Sequence, residues 1–178
     1  VDLWYEDKKE ALNNYGHISN WNTSLIDDMS SLFRDKFRFN EDISNWDVSN
    51  VINMSCMFIF CKKFNQNINK WDVSSVTNMN VMFGHALSFN HPLDSWDVSS
   101  VTTMYCMFEH AYTFNQNLDS WNVSSVTDTS WMFASTSVFN QPLNKWDVSS
   151  VTEMSGMFSE AKLFNQNLDS WNVSSVIN

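Results

Sequence analysis

The chain has 178 residues, a formal net charge of −10 and only 10 lysines and arginines. This balance disfavours binding to nucleic acid or to an anionic membrane surface, because both require a basic patch. Hydrophobic residues make up 43% of the chain, with 3 Gly and 2 Pro, which excludes a collagen-like or disordered protein, and no apolar run approaches the roughly 20 residues of a membrane-spanning helix.

The first 20 residues predict an N-terminal helical cap (domain 1–20). Residues 4–12 read as a short charged helix with apolar positions at Trp4, Ala11 and Leu12. Gly16 suits a helix C-terminus, where a left-handed backbone conformation costs least for glycine. A stack of repeats exposes apolar surface at its end, so a helix over the first repeat is expected. The alternative is a disordered leader.

From residue 21 to residue 178 the chain repeats with a period of 25 residues, giving six full repeats and the start of a seventh. The period is marked by a tryptophan column: Trp21, Trp46, Trp71, Trp96, Trp121, Trp146 and Trp171. A period of this length is typical of stacked repeat architectures. The sequence therefore predicts one elongated repeat domain over 21–178.

Each repeat predicts one strand and one short helix. The segment 117–123 and its copies combine aromatic and β-branched residues without helical spacing, which favours a strand near the tryptophan. Next, apolar residues recur at intervals of three or four, as on one face of a helix: Val151, Met154, Met157, Phe158 and Ala161. Ser150 and Glu153 have the spacing of a capping box at the start of that helix.

A second aromatic column runs in parallel with the tryptophans: Phe64, Phe89, Phe114, Phe139 and Phe164. A single unit of 25 residues cannot bury such large side chains alone. Stacked units place each aromatic side chain against the equivalent one of the next unit. Each large side chain so buried contributes roughly 1.5–3 kcal/mol. The two columns are therefore the predicted structural core.

Residues 146–168 carry the string W-D-V-S-S-V-T-x-M-x-x-M-F-x-x-A-x-x-F-N-Q-x-L. This string resembles the repeat of BspA-like leucine-rich-repeat surface proteins, and the resemblance runs from Ile18 to the C-terminus. It implies an α/β solenoid of leucine-rich-repeat type, with an extracellular or cell-surface location and a role in adhesion. It implies no catalytic residues.

The three cysteines predict free thiols. Cys56 and Cys106 occupy the same repeat position two units apart, which separates them by about 10 Å or more if neighbouring strands lie roughly 4.8 Å apart. A disulfide needs Cα atoms within about 7 Å. We expect these residues and Cys61 to be mostly buried and to pack as small hydrophobic side chains.

Several polar columns invite a functional interpretation. Asp47, Asp72, Asp97 and Asp147 form a carboxylate ladder, but asparagine holds the same position elsewhere, which favours a local hydrogen bond over a cation site. His85 and His110 share a column, yet two ligands make a weak metal site. Neither a catalytic set nor a cofactor motif stands out from the repeat background. We expect no enzyme activity, no metal and no cofactor.

Positions that depart from the repeat are the predicted contacts for a partner, since invariant columns hold the fold. These positions are Trp131, Tyr105, Tyr112, Lys70 and Lys145. Trp131 is the best single choice, because exposed aromatic residues often anchor interfaces. The alternative is that Trp131 fills room left by the short side chain of Thr129.

The predicted function is a non-catalytic repeat module for protein–protein interaction or adhesion, with a protein or glycan partner on an extended acidic face. One alternative is an architectural component that assembles with copies of itself. A minor alternative is an ice-binding protein, from the hydroxyl row Thr77, Thr102, Thr127 and Thr152. Further repeats or a neighbouring subunit are expected beyond Asn178.

Overall fold

The computed structural model describes all of residues 1–178. Helix α1 spans Asp2–Glu6, helix α2 spans Lys8–Tyr15, and a 3-10 helix spans Ile18–Asn20. After these elements the chain has no further helix and no strand. It forms 25-residue coils built from tight turns, and neighbouring coils stack side by side. None of the helices is both long and apolar enough to cross a membrane.

The N-terminal helices lie over the first coil. Asp7 separates them and caps α2, because its carboxylate accepts a hydrogen bond from the Glu10 amide at 2.9 Å. Gly16, with φ of +70°, ends α2. Trp4 and Ala11 are buried against the coil. Two salt bridges tie the helices to it, Lys36–Asp2 at 2.7 Å and Lys8–Glu41 at 2.6 Å.

Neighbouring coils are joined by a ladder of backbone hydrogen bonds. In each of the first five coils, four alternate N–H groups donate to carbonyls 24 residues later, as Met54 does to Asn78 at 3.0 Å and Phe58 to Met82 at 2.9 Å. Single parallel bridges, such as Asn53 with Asn78, follow the same register from coil to coil. The bridges stay isolated, so the backbone groups are satisfied between coils without forming a sheet.

The predicted α/β leucine-rich-repeat solenoid, with one strand and one short helix per repeat, is wrong. Where a helix was expected, Gly156 and Glu160 have positive φ values of 62° and 56°, and the equivalent residues of the other coils do the same. Left-handed residues at every fourth position break a right-handed helix. The apolar spacing of three and four comes instead from successive tight turns. The predicted capping box at Ser150 and Glu153 therefore has no helix to cap.

The predicted strand over 117–123 is also wrong. The Trp121 amide donates to the Leu118 carbonyl at 3.0 Å, which closes a tight turn. A second turn bond joins the Asp119 amide to the side chain of Asn117 at 2.9 Å. The aromatic and β-branched residues of this segment therefore reflect burial in the stack and not extended pairing.

The tryptophan column lies inside the stack. The side chains of Trp46, Trp71, Trp96, Trp121 and Trp146 are 2–4% exposed, whereas Trp21 and Trp171 are half-buried. Trp96 and Trp121 stack with ring centroids 6.4 Å apart and an interplanar angle of 2°. From Trp46 onward each indole N–H also donates to a carbonyl 28 residues earlier, as Trp96 Nε1 does to Ile68 at 3.1 Å. The indoles therefore both pack and hydrogen-bond across coils.

The phenylalanine column runs beside the indoles. Phe64, Phe89, Phe114 and Phe139 are fully buried, and Phe164 is half-buried. Phe89 and Phe114 stack with centroids 6.0 Å apart and an angle of 5°. A continuous series of near-parallel rings thus runs through the interior along the stack axis.

The thiols of Cys61 and Cys106 are buried, and that of Cys56 is half-buried. Burial raises the pKa of Cys61 and of Cys106 to about 12. Raising the pKa of an acid favours its neutral form, so at about pH 8 these thiols are almost entirely protonated and unreactive. We expect iodoacetamide to leave Cys61 and Cys106 unmodified in the native protein and to label both in urea. Native labelling of Cys61, detected by peptide mass spectrometry, would contradict this expectation.

Candidate interaction surface

One surface of the stack changes its side chains from coil to coil, and we call it the variable face. It is formed by the segments 30–38, 55–63, 80–88, 105–113, 130–138 and 155–163, which the backbone ladder holds side by side. The inward positions of these segments hold buried core residues in every coil, such as Phe58 and Phe83. Its outward positions differ: the residues equivalent to His85 are Asp35, Phe60, His110, Ser135 and Glu160.

The variable face holds several exposed aromatic side chains. Phe37, Tyr105, Tyr112 and Trp131 are each 40–46% exposed. A large apolar side chain at the surface loses the stabilisation that burial would give it. Four such side chains on one face mark it as the part of the stack best suited to contact another molecule.

Four partly exposed rings of this face form a continuous aromatic row. Phe60 stacks on His85 with centroids 4.5 Å apart, and His85 stacks on His110 at 4.4 Å. Tyr112 meets His110 edge-on at 5.7 Å, and its hydroxyl lies 3.1 Å from His110 Nδ1. The row spans three coils, so a partner lying along the stack axis contacts all four rings.

The two histidines are arranged for stacking. Burial, followed by the nearby His110, lowers the pKa of His85, so the neutral imidazole is favoured at neutral pH. Because the rings lie face to face with an interplanar angle of 24°, their in-plane nitrogen lone pairs do not converge on one point. No group of three or more His, Cys, Asp or Glu side chains is placed to hold a metal ion.

The structure separates the predicted contact residues into two groups. Trp131, Tyr105 and Tyr112 lie on the variable face. Lys70 and Lys145 lie in the turn before the tryptophan, outside that face. The Lys145 ammonium forms a 3.0 Å salt bridge with Asp119, whose side chain is only 9% exposed. The two lysines therefore do not share a surface with the aromatic residues.

Trp131 lies against the next coil. A Cβ atom added to Gly156 would come within 2.7 Å of the indole, so the ring rests on the Gly156 backbone. The ring is 40% exposed, whereas Thr129 is completely buried. The indole is thus a surface group supported from one side, and it does not fill the core beside Thr129.

The Asp and Asn column supports local turns, as predicted from its mixed composition. Asp47 Oδ1 accepts hydrogen bonds from the Ser49 amide at 3.1 Å and the Ser49 hydroxyl at 2.7 Å, and Asn122 binds Ser124 in the same way. These hydrogen bonds lower the pKa of Asp47. The column is therefore explained by turn formation.

The hydroxyls of the threonine row form hydrogen bonds between neighbouring coils. Each hydroxyl donates to a carbonyl of the preceding coil, as Thr102 does to Thr77 at 3.2 Å and Thr127 to Thr102 at 3.1 Å. The hydroxyl proton is thus used inside the stack.

Sequence reasoning did not select Phe37 or Phe60. Both lie in columns that vary from coil to coil, as Tyr112 and Trp131 do, and that variation is the signal that identifies them. The assumption of a helix in each repeat concealed which columns point outward together.

Comparison with known proteins places the chain in a family. A family model described as "Mycoplasma protein of unknown function, DUF285" matches residues 4–121 and again residues 91–178. No curated protein and no solved structure matches the chain. The two matched segments overlap and together span nearly the whole sequence, so the chain belongs to this DUF285 family of repeat proteins.

Proposed function

We propose that the chain is a non-catalytic module that binds another protein through the variable face. The observation that carries the proposal is the aromatic row, which shares the variable face with the exposed rings of Tyr105 and Trp131. Aromatic side chains are enriched among the residues that dominate binding energy at protein interfaces. A row of them held at fixed spacing forms a preorganised contact strip, which reduces the entropy lost on binding.

Each coil has buried positions that hold the fold and outward positions that vary, and this arrangement supports a binding role. The buried rings and the backbone ladder maintain the stack, while outward positions such as 35, 60 and 85 accept Asp, Phe or His without changing the turn. Repeat proteins obtain different specificities in this way, by changing surface residues on a constant scaffold.

The surface hydroxyls favour binding over catalysis. Serines such as Ser49 and Ser74 donate to the carboxylates of Asp47 and Asp72 within turns. A nucleophilic serine needs an adjacent base that accepts its proton in a productive geometry. Display at a cell surface, with adhesion as the biological role, is part of the proposal and rests on the resemblance of the repeat.

Site-specific photo-crosslinking tests the proposal. A benzoylphenylalanine at position 112 is expected to form discrete adducts with a protein from cells of the source organism, and excess unmodified chain is expected to compete for them. The matched control carries the same group at Ser100, an exposed residue outside the variable face. Competition should be lost when the competitor carries His110→Ala and Tyr112→Ala.

Equal adducts from positions 112 and 100, or no adducts from either, would contradict the proposal. Adducts with the mass of two copies of the chain would favour the architectural alternative instead. Circular dichroism of each labelled protein verifies that the stack has formed.

A further inference from the structure

Half of the cations of this acidic chain lie in the first two coils of the variable face. These residues are Arg34, Lys36, Arg38, Lys62 and Lys63, out of 10 lysines and arginines in total. Lys36 pairs with Asp2 at 2.7 Å and Arg34 with Asp35 at 3.5 Å. The other three form no salt bridge, and we call Arg38, Lys62 and Lys63 the basic patch.

Two members of the basic patch are stacked in one column. Arg38 and Lys63 occupy the same position on adjacent coils, and the Lys63 amide donates to the Phe37 carbonyl at 3.2 Å, directly before Arg38. Like charges placed opposite each other on neighbouring segments are destabilising. The pair therefore adds no electrostatic stability to the free protein.

The fold itself does not require cations in this column. The next two coils hold Ser88 and Thr113 there, and each hydroxyl donates to a carbonyl of the preceding coil, at 2.8 Å and 2.9 Å. A small hydroxyl residue thus serves the turn well. Unpaired like charges at positions where neutral residues suffice indicate a role in binding.

The surroundings of the patch combine charge with apolar surface. The ammonium nitrogen of Lys62 lies 5.0 Å from the ring centroid of the exposed Phe37. On the other side, Arg38 lines a surface cleft of about 350 Å³ between α1, α2 and the first coil, together with Trp4, Tyr5, Lys8, Phe39 and Glu41. Lys8 and Glu41 pair with each other at 2.6 Å. Arg38 is therefore the unpaired cation of that cleft.

We propose that the variable face binds an acidic peptide segment of its protein partner. The segment places carboxylates on Arg38, Lys62 and Lys63 and an apolar side chain against the aromatic row, beginning at Phe60. The planar guanidinium of Arg38 is suited to bidentate binding of a carboxylate. This inference rests on the proposed function and adds the chemistry of the partner.

A short acidic segment fits this surface better than a nucleic acid does. The patch is small, and Asp2, Asp35 and Glu41 lie around it on a chain of net charge −10. A long polyanion placed on it meets repulsion beyond the patch, because nucleic-acid affinity depends on neutralising many phosphates. A peptide with a few carboxylates extends less far beyond the patch and therefore meets less of this repulsion.

Fluorescence anisotropy with defined probes tests the inference. The probes are a glutamate-rich peptide containing phenylalanine, the same peptide with glutamine in place of glutamate, and an oligothymidylate of equal length. We expect the acidic peptide to bind, and R38S/K63S to weaken it by about tenfold, as loss of two charge-assisted contacts predicts. Both substitutions introduce the residue found naturally at position 88.

The matched control compares peptide binding by two single variants, Lys63→Ser within the basic patch and Lys70→Ser outside it. Lys70→Ser removes the same charge outside the face and introduces the residue found at position 95. Only Lys63→Ser is expected to weaken binding. Equal losses from the two single variants, equally tight binding of the oligothymidylate, or no binding of the acidic peptide would each overturn the inference. The photo-crosslinking experiment separates this inference from the proposed function. If the acidic peptide does not bind, but R38S/K63S still forms adducts from position 112, the inference fails and the proposed function remains supported.

Discussion

Replacing Trp96 by alanine is expected to lower the free energy of unfolding by about 3–5 kcal/mol, the usual loss for a buried tryptophan. The Trp96 side chain is 3% exposed and stacks on Trp121. Its ring centroid lies 6.3 Å from that of Phe83. Its indole also donates to the Ile68 carbonyl at 3.1 Å, so the substitution removes this buried hydrogen bond and leaves the carbonyl with only the Trp71 amide as donor. Urea denaturation followed by far-UV circular dichroism measures the change.

Trp131→Ala is the matched control for this prediction. The same chemical change is made at a ring that is 40% exposed and rests on the Gly156 backbone. Its expected cost is about 1–2 kcal/mol, smaller than at Trp96, because a large part of this indole is in solvent in the folded protein. Similar costs for the two substitutions would contradict the assignment of the tryptophan column to the core.

Thr129→Val is expected to raise the free energy of unfolding by about 1–2 kcal/mol, because it removes a buried hydroxyl that has no partner. Thr129 is completely buried in a column otherwise held by methionine, and its Oγ1 has no hydrogen bond. Valine keeps the shape of the side chain and removes only the polar atom. Thermal and urea denaturation of the two proteins measure the difference.

Thr136→Val provides the opposite expectation at a second buried threonine. Thr136 is also completely buried, but its hydroxyl donates to the Phe133 carbonyl. Valine removes this hydrogen bond, while the Phe133 carbonyl keeps the one from the Thr136 amide at 3.1 Å, so we expect a loss of about 0.5–1.5 kcal/mol. If both variants shift stability in the same direction, hydrogen bonding does not account for the difference between the two sites.

The period and the core were accessible from the sequence, because identical residues at fixed spacing require no knowledge of backbone conformation. The secondary structure was not accessible. Met154, Met157 and Phe158 have the spacing of a helical face, yet a series of tight turns brings them to the same side. The left-handed residue between them is glycine only at Gly156, and the other coils place serine, cysteine, valine or tryptophan there. The usual glycine signal for positive φ was therefore missing.

The variable face was predictable only in part. Tyr105, Tyr112 and Trp131 could be selected because each departs from its column. Their grouping on one face depends on the turn geometry, which the predicted helix obscured. The basic patch was hidden by the overall charge of −10, because a net value carries no information about where the few cations lie.

The backbone ladder makes the length of the protein adjustable. Side-chain amides follow the same 25-residue step, as Asn90 shows by accepting a hydrogen bond from the Asn115 amide at 2.9 Å. Removing or duplicating one whole coil keeps every hydrogen bond of the ladder in register. Any other change in length would shift the register and turn buried rings toward solvent. Gene duplication and loss in steps of one coil are thus tolerated by this fold. Each step lengthens or shortens the variable face while the chemistry of the remaining coils is preserved.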